Sequence, residues 1–210
     1  MTVLSSEAFT NLGVVHSQAL RIKQVFENPK IVLVLRHPVE WMVSNYKYCV
    51  EHEGFFSHLE DYLDWGERRT PFALEKRPPF YLPDFYYDEV VSTYRNLFGR
   101  DHVLILRYED FKENPKEFGC RLSDFIGLDL PSFEERARHK VLESPDDHRV
   151  EEQRLQNLLK VVRRGLAGKG LNDSWSPIAS AVERPILLPE TEERLRCSFR
   201  PHCAEFYRDL

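Results

Sequence analysis

The sequence predicts an α/β fold, and three observations carry that expectation. Two short apolar runs end on polar side chains: "IVLVLR" at 31–36 and "HVLILRYED" at 102–110, with "TVLSSE" at 2–7 a weaker third case. Aliphatic side chains on both faces are the pattern of a strand buried between helices in a parallel sheet. Apolar residues at helical spacing lie between and after these runs, which is the alternation of an α/β chain. Finally, 210 residues are enough for one domain with a substantial core, and nothing marks off a second. The domain is therefore expected to span 1–210.

The elements follow in order. After the 2–7 strand, His16 falls in a helical stretch that leads to the strand at 31–36. Pro38 suits a first helical position, where its missing N–H costs nothing. Val39, Met42, Val43, Tyr46, Cys49 and Val50 then form a stripe at helical spacing. Residues 66–82, "GERRTPFALEKRPPFYL", read as the longest loop. In 84–98 Val90, Val91, Tyr94, Leu97 and Phe98 form a second stripe, and Gly99 is a natural stop. "ENPKEFGCRLSDFIG" offers Asn114 as N-cap, Pro115 at N1, Glu117 at N3 and Gly127 as terminator. Residues 140–150 and 165–188 read as irregular. The tail opens with Pro189 and acids in its first turn, and Pro201 is expected to break or kink that last helix.

Composition excludes several classes. The net charge of −5, from 29 basic and 34 acidic residues, argues against a general nucleic-acid binder, which needs a basic surplus to displace counterions. The four cysteines, Cys49, Cys120, Cys197 and Cys203, form no CxxC pair and read as reduced structural thiols in a cytoplasmic protein. No apolar run approaches the ~18–20 residues of a membrane span. The histidines show neither HxxxH nor HExxH spacing, so no metal site is expected.

The chemistry is expected at the strand ends, because ligands of open α/β sheets bind outside the carboxyl ends of their strands. Three ends present polar groups: Ser5-Ser6-Glu7, Arg36, and Arg107-Tyr108-Glu109. Arg36 stands at the mouth of a helix whose first amides attract anions, and Ser44, eight residues on, falls two turns into it. A guanidinium and a hydroxyl suit a pair of phosphate oxygens. Alternatively, Arg36 pairs with Glu40 or Glu109, and Ser44 is an ordinary helix residue.

"KIVLVLRHPVEWMVSNYKYC" resembles the 3′-phosphate-binding motif of sulfotransferases. In that family, strand–Arg–x–Pro followed by a serine eight positions after the arginine holds the 3′-phosphate of 3′-phosphoadenosine-5′-phosphosulfate (PAPS). "VLILRYEDFKENPKEFGCRLSDFIGLDLP" is similar to the family's strand–YED–helix segment, in which the tyrosine approaches the adenine. "VRRGLAGKG" at 162–170 resembles, more loosely, the arginine–basic–glycine loop that closes over the same phosphate, and the tail resembles the final helix of bacterial members. The resemblance implies a P-loop-NTPase-like parallel sheet flanked by helices. It implies Arg36, Ser44, Tyr108, Arg163, Arg164 and Gly165 as donor-binding residues, 3′,5′-bisphosphoadenosine as the leaving product, and a small-molecule or carbohydrate acceptor.

The family also has an early strand and a P-loop-like turn for the 5′-phosphosulfate, and neither is recognisable here. Of the glycine-rich stretches only "GLAGKG" looks phosphate-like, and it lacks GxxxxGK[ST] spacing. The chain is accordingly expected to be an N-terminally truncated member of the fold. Glu7 is the candidate general base, with His16 behind it. Glu7 is otherwise a first-turn acid that favours a helix dipole. Trp41, Trp65, Phe80, Tyr81 and Phe85 read either as core or as lining of an acceptor pocket. A non-catalytic nucleotide-binding relative and a small-molecule kinase are the competing readings. The missing Walker lysine counts against the kinase.

Overall fold

The structure is a computed structural model, and it describes residues 14–64, 80–128, 145–166 and 185–207. Its centre is a parallel pair of strands. Strand β1 (Ile31–Leu35) lies beside β4 (Val103–Arg107), with Leu33 opposite Ile105 and Leu35 opposite Arg107. Helix α1 (Val15–Val25) precedes β1. The crossover from β1 to β4 holds α2 (Pro38–Tyr48), two short paired segments β2 (Leu63–Asp64) and β3 (Phe80–Tyr81), and α3 (Tyr87–Phe98). Helices α4 (Tyr108–Glu113), α5 (Pro115–Ile126), α6 (Asp147–Leu166) and α7 (Pro189–Cys203) follow β4.

The two stripes read from sequence become the core. Met42, Tyr46 and Val50 face inward from α2 and its extension, and Val90, Val91 and Tyr94 from α3. They meet Leu33 and Leu35 of β1 and Leu195, Phe199 and Cys203 of α7 in one continuous cluster. Each fully buried aliphatic side chain contributes about 1.5–3 kcal/mol of burial. Three of the aromatics considered for an acceptor pocket pack there too: Trp41 meets Phe80 edge-on at 6.1 Å and Phe85 at 5.2 Å. Tyr81 is exposed, and Trp65 lies outside the described residues.

Several boundaries are those the sequence predicts. Asn114 accepts the Glu117 N–H at 3.2 Å and donates back to the Glu117 carboxylate at 3.0 Å. Gly127 ends α5 at φ 74°, a left-handed conformation that suits glycine. Others differ. Strand β1 is not fully covered on its second face: Val34 is 49 % exposed, although its register partner Leu106 is buried. Residues 147–150 belong to α6, whose start is tied down by Lys47 bonding Asp147 at 2.6 Å and the Pro145 carbonyl at 3.1 Å. Pro201 does not break α7, which runs on to Cys203. It sits in the last turn, where only one intrahelical bond is lost, and Phe199 and Cys203 on either side are fully buried.

Helix α2 does not stop at Tyr48 but widens into a π turn over Cys49–Glu53, closed by Gly54 at φ 81°. Buried Asn157 of α6 braces this turn, donating to the Val50 carbonyl within it at 2.8 Å and to the Phe55 carbonyl just beyond it at 3.0 Å. Arg154, paired with Glu151, donates to the Phe56 carbonyl at 3.1 Å.

Candidate functional site

Because β1 and β4 are in register, Arg36 and Tyr108 emerge side by side, one residue beyond their strand ends. The Arg36 guanidinium lies over the Tyr108 ring, 5.0 Å from its centroid, and Lys112 Nζ stands 5.3 Å from the same ring. A cation over a phenol face is favoured by the ring quadrupole, and the stacking holds the guanidinium without using its donors. The Arg36 Nε is shielded from solvent and has no hydrogen-bond partner among the described residues. A buried donor left unbonded costs roughly 1–3 kcal/mol, so it marks a position where an acceptor is wanted.

The alternative pairing of Arg36 with Glu109 is not what forms. One Glu109 oxygen accepts the His37 backbone N–H at 2.8 Å, and the other accepts the Tyr207 hydroxyl at 3.2 Å. Glu40, the other alternative partner, is exposed on α2. The amide of His37, the N-cap residue just before α2, is thus taken by a carboxylate from the protein itself. In a capping box the N3 side chain would fill that place; here a residue from beyond β4 does so.

The neighbouring arginines are engaged. Arg107 donates through Nε to Asp110 at 2.9 Å and through a second nitrogen to the same oxygen. Arg121 reaches the other Asp110 oxygen at 3.4 Å and the Ile105 carbonyl at 3.2 Å. The Asp110 bond holds the Arg107 pKa above its ordinary value. Tyr87 donates to the Arg36 carbonyl at 2.8 Å. Burial raises the phenols of Tyr87 and Tyr207 well above the usual range, with nearby Cys203 and Glu109 adding to the effect. Both are neutral donors at any working pH.

Of the residues singled out by sequence, the structure brings Arg36 and Tyr108 into contact. Ser44 lies on α2, partly buried and seven residues beyond His37, which puts it two turns along the same side of the helix. Arg163, Arg164 and Gly165 are not in a loop: they occupy the last turn of α6, and Arg164 is exposed. The basic residues there complement the negative end of the helix dipole. His16 is exposed near the start of α1. Glu7 lies outside the described residues. Sequence reasoning did not assign Tyr87 or Tyr207 to the site, and no local pattern marks them: they reach it from 51 positions beyond Arg36 and 98 beyond Glu109.

Residues 14–176 match the sulfotransferase domain, and the chain belongs to the sulfotransferase family. Its fold is similar to that of the sulfotransferase from Alicyclobacillus acidocaldarius, with a TM-score of 0.52 and 22% sequence identity. The similarity covers 77% of this chain and 62% of that one, so this chain spans less than two thirds of the other's length. No curated protein matches the chain. Among the described residues no helix is long and apolar enough to cross a membrane.

Proposed function

We propose that this protein moves a sulfuryl group from PAPS to a hydroxyl or amine of a small-molecule or carbohydrate acceptor. Family membership supports sulfuryl transfer in general. One observation carries the finer reading: of the three described arginines at this junction, Arg36 keeps a shielded Nε without a hydrogen-bond partner among the described residues, while Arg107 and Arg121 are committed to Asp110.

In this reading Arg36 supplies the charge that a 3′-phosphate needs, and Ser44 adds a hydroxyl donor along α2. Tyr108, under the guanidinium, borders the adenine. Arg163, Arg164 and Gly165 close over the phosphate from the end of α6. Glu7 takes the acceptor's proton as its oxygen or nitrogen attacks sulfur. Transfer then follows the logic of an in-line displacement, in which positioning and charge neutralisation lower most of the barrier. The leaving 3′,5′-bisphosphoadenosine is a stabilised anion and needs no obligatory metal.

The test pairs binding with turnover. Bisphosphoadenosine is expected to raise the melting temperature, and labelled PAPS to pass its sulfuryl group to a member of a panel of phenols, sugars and amines. Binding without transfer to any acceptor supports the non-catalytic reading instead. Stabilisation by ATP in preference to the bisphosphate contradicts the PAPS assignment.

A further inference from the structure

We propose that Glu109 and Tyr207, with Tyr87, are positioning residues that clamp the single peptide unit between Arg36 and His37 and so aim the Arg36 guanidinium. This rests on the reading of Arg36 as a phosphate ligand.

A peptide unit is planar and has two polar atoms, here the Arg36 carbonyl oxygen and the His37 N–H. Each is held by a different side chain. The Tyr87 hydroxyl donates to the oxygen at 2.8 Å, and the Glu109 carboxylate accepts the N–H at 2.8 Å. Fixing both atoms fixes the plane, and with it the backbone torsions on which the Arg36 side chain is mounted. Glu109 is itself held by Tyr207, whose ring meets the His37 ring edge-on at 5.4 Å. His37 is only 3% exposed, and Tyr207 is buried, so the clamp is partly withdrawn from water, which strengthens its hydrogen bonds.

Simple electrostatics runs the other way. A carboxylate one residue beyond Tyr108 repels the dianion that Arg36 is to bind, so its presence weakens the field of the site. Geometry supplies the reason for it. The clamp also explains why the segment after α7 matters to a site at the opposite end of the sequence: Tyr207 completes it.

The experiment measures affinity of the full chain for 3′,5′-bisphosphoadenosine and for adenosine 5′-monophosphate, which lacks the 3′-phosphate. Glu109→Ala is expected to weaken the bisphosphate about tenfold or more, although it removes a negative charge from beside an anion. Tyr207→Phe, which preserves the packing, is expected to weaken it about threefold to tenfold. Both are expected to leave the monophosphate unchanged. Glu109→Gln keeps a carbonyl oxygen for the His37 N–H and is expected to recover most of the loss. Bisphosphate binding that is unchanged or tighter in Glu109→Ala overturns the inference. So does an equal loss for both nucleotides, which is what a merely structural role gives. If the unaltered protein shows no preference for the bisphosphate, the reading of Arg36 itself fails, and this inference with it.

Discussion

Two arginines stand at the ends of two paired strands, and the protein treats them in opposite ways. Arg107 is bound twice by Asp110, and Arg121 shares that carboxylate. Arg36, one position beyond Arg107's register partner Leu35, lies on a tyrosine face with its Nε unbonded. Glu109, the acid that follows Tyr108, is turned to a backbone amide and a phenol. An arginine at a strand end is therefore not a site by itself. What distinguishes a ligand-binding cation from a structural one is whether the fold has already satisfied it.

The comparison breaks first at Arg36. Arg36→Ala is expected to lower bisphosphoadenosine affinity by about 2 kcal/mol or more, some thirtyfold, since hydrogen bonds to charged groups contribute about 1.5–3 kcal/mol. Isothermal titration calorimetry reads this directly. Arg36→Lys keeps the charge but loses the planar fork, and is expected to fall roughly tenfold in the same titration. Arg107→Ala tests the other half. It is expected to lower stability by about 1 kcal/mol in a urea melt, discounted because Arg107 is 40% exposed, and to leave affinity nearly unchanged. Asn114→Ala, at the N-cap of α5 away from the junction, is expected to cost about 1 kcal/mol of stability with no effect on binding.

A pH series sharpens the account with a smaller effect. Burial pushes the Cys49 and Cys203 thiols from an ordinary 9.0 up to about 12, so the folded chain keeps protons that the unfolded chain releases. Stability from these groups is complete below pH 9 and is lost as pH rises toward 12. Urea midpoints should fall across that interval. Exposed Cys120 and Cys197 should react first with a thiol reagent at neutral pH.

Much of this was legible in the residues, because the relevant signals are local. The α5 cap, the Gly99 and Gly127 stops, and Arg36 and Tyr108 as strand-end groups all follow from spacing within a few positions. What local spacing hides is pairing at a distance. Arg36 and Glu109 read as possible partners, yet the register that brings them near also brings the His37 amide and Tyr207, which take the carboxylate instead. The π turn after Tyr48 was equally hidden, since Asn157 braces it at Val50 and Phe55 from more than 100 residues away. Arg163 and Arg164 resembled a loop because glycines follow them, but the helical stretch before them continues through Leu166.

The central claim is that Arg36, rather than Arg107, reads the 3′-phosphate. Its most direct test is a bisphosphoadenosine titration of Arg36→Ala and Arg107→Ala under one set of conditions. The account predicts a loss of about thirtyfold for the first and less than about threefold for the second. Equal losses, or the larger loss at Arg107, would contradict it.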